Sequence, residues 1–213
     1  MIRRWFYIFL AIASLSVLTG CHFTAEQQQE FDPEQAALAR LKLGLGYLSQ
    51  AQNPSDRSSE DIKQAHYNLT LANQYSPNNP NVMLGMAMFD QQVGEYDEAD
   101  AIYQAITKME PTNGLYRVHY GSFLCATKRY DEARGQFKQA IALERPQWKM
   151  DSLEQLGYCA IQNGDKTQAD EAFQALFQYD ATKRKHVEAM ANVYQQHGDQ
   201  HIANYLFTIS KLD

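Results

Sequence analysis

The chain has three cysteines and six histidines, and their positions decide how much chemistry is open to them. Cys21 closes an apolar run, in the stretch LSVLTGCH from Leu15 to His22. Arg3 and Arg4 precede that run, and Trp5 to Val17 carries no charge. Two basic residues, about a dozen apolar ones and a small-residue exit make the layout of a secretory signal peptide. A membrane-spanning helix needs roughly 20 apolar residues, more than this run offers. His197 and His201 stand four apart, a spacing that suits a metal pair, but they flank Gly198-Asp199 in an expected turn and read as surface histidines. His66, His119 and His186 are scattered along the chain. Acid pairs such as Asp97-Glu98 and Asp131-Glu132 fall at expected helix starts, where negative charge favours the helix N-terminus. The sequence contains no phosphate-cradling glycine loop, HExxH, paired CxxC or GxSxG. No catalytic site, cofactor, metal or small-molecule substrate is expected.

The residues Leu18-Thr19-Gly20-Cys21 resemble the lipobox of bacterial lipoproteins. In that family a peptidase cuts before the cysteine, whose sulfur and new amino group then receive acyl chains. Two or more chains anchor a protein stably where one does not. Lipoproteins of this kind go to the outer membrane unless aspartate follows the cysteine, and here His22 follows. The resemblance therefore implies lipidation of Cys21 and a mature chain held on the periplasmic face of the outer membrane.

Formal net charge is −6, and removing residues 1–20 takes away two arginines and no acid. An acidic balance argues against nucleic acid or an anionic lipid surface as the main partner. A periplasmic chain permits a disulfide between Cys125 and Cys159. Their apolar helical setting favours two buried free thiols instead.

Around these residues the chain is all-α. Residues 22–33 are polar and Gln-rich and suit a tether, and from Glu34 apolar residues recur three and four apart. Ala65, Ala99, Ala133, Ala169 and Ala203 recur at spacings of 34, 34, 36 and 34. Four residues after each stands Leu69, Tyr103, Phe137, Phe173 or Phe207, and before each lies Gly44, Ala87, Gly121, Gly157 or Ala191. Small residues let two helices cross closely while bulky ones fill the space beside them. This pattern resembles the tetratricopeptide repeat, a helix–turn–helix unit of 34 residues. The resemblance implies a right-handed superhelical array of about five units. The expected divisions are a signal peptide at 1–20, an acylated cysteine and tether at 21–33, and a solenoid at 34–213. Its units are 37–79, 80–113, 114–149, 150–183 and 184–213, the first carrying a polar loop insertion, AQNPSDRSSE.

In tetratricopeptide arrays the first helix of each unit lines the ligand groove. Carrying those positions over gives Leu38, Leu41, Leu45 and Leu48, then Leu84, Met88 and Gln91, then Leu115, Val118, Ser122 and Cys125. The fourth unit gives Asp151, Glu154, Tyr158 and Ile161, and the fifth Lys185, Glu188, Asn192 and Gln195. The groove would be apolar at its N-terminal half and polar at the other. Any one leucine could equally pack on a neighbouring helix, but Leu43 and Tyr47 are expected to fill those inter-helix positions. The stretches ARLKLGLGYL and YGSFLCATKRYDEA, after a lipobox, resemble the PilF/PilW family of type IV pilus biogenesis lipoproteins. That resemblance implies an outer-membrane pilotin or pilus-stability scaffold, with the pilus secretin as protein partner and no catalysis. The alternative is a tetratricopeptide adaptor lipoprotein of another envelope complex. Oligomeric state is not legible in the sequence.

Overall fold

The computed structural model describes residues 31–51 and 59–212, and within them the backbone is helical between short turns, with no strand. Ten helices follow in order among the described residues: α1 (Pro33–Ala51), α2 (Ser59–Tyr75), α3 (Pro80–Val93), α4 (Tyr96–Met109) and α5 (Gly114–Ala126). They continue as α6 (Tyr130–Ala142), α7 (Pro146–Gln162), α8 (Lys166–Tyr179), α9 (Lys183–Gln196) and α10 (Gln200–Ile209). They belong to one compact unit and pack as five antiparallel pairs at the repeat period read from the sequence. Of the expected insertion, Ala51 closes α1 and Ser59-Glu60 opens α2; the rest lies outside the described residues.

Local chemistry sets the ends. Pro80 opens α3 behind Asn79, whose side chain accepts from the Asn81 N–H, and Asn113 accepts from Leu115 ahead of α5. Asp165 does the same for Gln168 at α8. Asp97-Glu98 and Asp131-Glu132 occupy the first turns of α4 and α6, where their charge meets the exposed N–H groups. Three first helices end in a left-handed glycine, Gly94, Gly164 and Gly198.

Packing follows the repeat. The five recurring alanines are fully buried. A Cβ added at Gly121 would stand 2.6 Å from Phe137, one at Gly157 2.7 Å from Phe173, and one at Gly44 2.7 Å from Leu69. Each bulky side chain thus lies directly on the small residue of its own pair. The buried apolar groups form three main clusters. The first joins α1, α2 and α3 around Leu48, Leu69 and Val82. The second runs from α3 to α8 around Tyr103, Phe123 and Phe137, and the third from α7 to α10 around Phe173, Leu176, Val187 and Leu206.

Cys125 of α5 and Cys159 of α7 are joined in a disulfide with Cα atoms 5.7 Å apart. This corrects the expectation of two free thiols. Both positions are apolar and buried, as expected, but α5 and α7 touch directly and bring the two sulfurs onto the same seam.

Candidate protein-binding surface

The first helices carry the residues expected to line a groove, and the structure divides them into two groups. Leu41 and Leu48 are buried, at 8% and 1% exposure, as are Leu84 and Val118. The expectation that these four face an open groove is therefore corrected. The cause is close packing of successive first helices: Leu41 Cδ1 comes within 2.5 Å of where a Cβ would sit on Gly85, so α3 closes over α1. Leu45 sits half-buried against the first cluster, and Met88 and Leu115 against the second; Leu38 is 42% exposed. Of the expected groove residues, Leu38, Leu45, Met88 and Leu115 keep apolar surface exposed, and repeat register sets them in a row on α1, α3 and α5: Leu38 and Leu115 lie six residues before their unit's recurring small residue, Leu45 and Met88 one after.

Leu43 was expected between helices and is instead 46% exposed, with Tyr47 half-buried beside it. Ala39, Lys42, Leu43, Gly46, Tyr47 and Gln50 form a shallow groove on α1 itself. The helix turns about 100° per residue, so placing Leu41 and Leu48 under α3 rotates Leu43 outward.

The C-terminal half is polar, as its sequence implies, but its centre is more organised than expected. Lys185, Glu188, Asn192 and Gln195 are exposed, while Glu154, Tyr158 and Ile161 are buried. Glu154, 5% exposed, accepts from Lys183 Nζ at 3.1 Å on one oxygen. Its other oxygen meets Tyr158 Oη at 3.1 Å and His186 Nε2 at 2.9 Å. A buried carboxylate is tolerable only when paired and hydrogen-bonded in this way. Burial raises the Tyr158 hydroxyl pKa, and Glu154 raises it further. Asp151, one turn earlier, is held above the usual carboxylate range by burial, with Lys183 opposing. A cleft of about 240 Å³ opens beside this group, lined by Ser122, Gln155, Gln162, His186, Met190 and Tyr194 with the disulfide at its floor. Sequence reasoning missed Lys183 and His186. Their spacing of three residues, matched to Glu154 and Tyr158 four apart, is the signal that a correct register for α9 would have exposed.

Among the described residues, no group of three or more His, Cys, Asp or Glu could hold a metal ion. The lipidation position, Cys21, lies outside the described residues.

Two tetratricopeptide-repeat family models match the chain, over residues 57–118 and 151–181. Over 160 residues the chain is 27% identical to the type IV pilus assembly protein PilF of Pseudomonas aeruginosa. That match covers 74% of this chain and 60% of the relative, so the chain spans less than two thirds of PilF's length. A solved structure of Pseudomonas aeruginosa PilF matches at 24% identity with a TM-score of 0.61, over 84% of this chain and 76% of that one. The structure of PilW, a widely conserved type IV pilus biogenesis factor, matches at 19% identity and 0.61, over 83% and 77%. The structural matches show the shared fold. The chain thus carries tetratricopeptide repeats and is similar, at low identity, to a type IV pilus assembly protein.

Proposed function

We propose that this protein is a non-enzymatic scaffold of a type IV pilus machine, lipid-anchored through Cys21 on the periplasmic face of the outer membrane. In that role it assists assembly or localisation of the secretin. The observation that carries the reading is the half-exposed apolar row Leu38, Leu45, Met88 and Leu115, which offers an apolar or amphipathic segment a surface to bury. Relatedness to PilF supports the choice of machine, and the lipobox-like Leu18-Thr19-Gly20-Cys21 supports the anchor. Acyl chains would then carry the scaffold and its cargo to the same membrane.

The binding step is tested by Leu38→Glu combined with Met88→Gln, with circular dichroism to establish folding and co-purification of secretin multimers as the readout. An apolar side chain passing from half-exposed to buried contributes roughly 1 kcal/mol. Losing two such contributions weakens association roughly thirty-fold. A folded double variant that assembles secretin normally would remove this row as the docking site. The anchor is tested separately: Cys21→Ser should end incorporation of radiolabelled fatty acid, and incorporation that persists would refute lipidation there.

A further inference from the structure

The two ends of the helix array differ in chemistry. On α9 the outward residues Lys185, Glu188, Asn192 and Gln195 are all polar and exposed, as the solvated end of a repeat array needs to be. On α1 the outward groove of Ala39, Lys42, Leu43, Gly46, Tyr47 and Gln50 has an apolar centre. The corresponding face of α3, one unit on, is Val82, Met86 and Phe89, and it packs into the first cluster against α1 and α2. The outer face of α1 therefore has the position and much of the character of a surface that receives a helix.

The pattern of sizes identifies the occupant. In an antiparallel pairing centred between Gly44 and Leu45, residue 43 meets 46, residue 42 meets 47, and residue 39 meets 50 of the other helix. Leu43 then seats over Gly46, where an added Cβ would find open space, with nothing beyond its own helix backbone within 4 Å. Lys42 lies against the Tyr47 ring, a favourable cation–π contact, and Ala39 leaves room for Gln50. Each large side chain meets a small or complementary one, and a two-fold axis makes every pairing occur twice. A parallel pairing would set Lys42 against Lys42. We infer that the outer face of α1 is a self-association surface, on which a second copy of this chain packs α1 against α1 in antiparallel fashion. One helix face is smaller than the ~800 Å² per partner of a standard stable interface, so the dimer is weak and reversible. This inference is independent of the pilus reading and of the row on α1, α3 and α5.

The test is sedimentation velocity of the full chain in mild detergent over a concentration series. The wild type should show a reversible monomer–dimer equilibrium. Gly46→Leu, whose Cβ enters open space, fills the hollow, and Leu43→Glu puts a charge at the centre; each should weaken dimerisation at least tenfold with an unchanged circular dichroism spectrum. Asn192→Leu, at the polar end, should leave the equilibrium as it was. A wild type that stays monomeric at every concentration, or dimers equally strong in both α1 variants, overturns the inference. In cells, benzoylphenylalanine in place of Gln50 should give a photoproduct of twice the chain mass. A product with a different protein alone would assign the face to another partner and also overturn it.

Discussion

Lys128 holds its backbone at φ 64°, at the place after the first helix where the neighbouring units have Gly94, Gly164 and Gly198 at φ 92°, 78° and 87°. A side chain there is strained by about 1–2 kcal/mol, and Lys128 is exposed and has no packing to lose. Glycine relieves the strain but frees the unfolded chain, which returns part of the gain. Lys128→Gly should therefore raise stability by about 0.5–1 kcal/mol, read as a higher urea midpoint at unchanged slope. A lower midpoint would mean that the turn is held by Lys128 itself. A second residue makes stability depend on pH. Burial holds the half-buried His119 imidazole below its ordinary 6.5, against the opposing pull of Asp151. The unfolded chain thus takes up that proton first, and stability that is complete above pH 6.5 declines as pH falls toward the lower folded value. Asp151, held high by burial, acts in the opposite sense, because the folded chain takes up that proton first. His119→Gln should flatten the fall in melting temperature between pH 7 and 5.5; an unaltered slope would place its origin elsewhere.

At the scale of helices, the sequence disclosed what recurs and hid what depends on neighbours. The period, the helix pairs and the crossings at Gly44, Gly121 and Gly157 were legible because each is a contact within one unit. Leu41, Leu48 and Leu43 were assigned to the wrong faces because α1 is rotated by what packs on it, and the Leu41–Gly85 contact crosses between units. The disulfide was illegible for the same reason: Cys125 and Cys159 sit at non-equivalent places in their repeats, four residues after Gly121 and two after Gly157. Closing a loop with a sequence separation of 34 is worth about 3–4 kcal/mol in the chain-entropy account. Cys125→Ala with Cys159→Ala should lower stability by about that amount, measured against the wild type with and without reductant. If reduced wild type and double variant both melt like the oxidised protein, the bridge has no stabilising role.

Across the whole array, packing is mainly between neighbouring helices, so stability is close to a sum of unit and interface terms. The interior units have partners on both sides. The α9–α10 pair is less well held: α9 buries only Val187 and Ala191, and the Glu154 group is its main polar tie to α7. Backbone amides of α9 and α10 should exchange with deuterium at least tenfold faster than those of α5 and α7, following the lower free energy of local opening. Uniform protection along the chain would indicate a single cooperative unit instead.

The Cys125–Cys159 bridge also limits how far the chain can be drawn out when its two ends are pulled apart. Tension entering α5 can pass through two sulfur atoms into α7, leaving the chain between them, with all of α6, outside the load path. Fully stretched, the oxidised protein would be shorter than the reduced one by on the order of 110 Å, the span of the sequence separation of 34 that it bypasses. The bridge is thus a limit on extensibility as well as a source of stability.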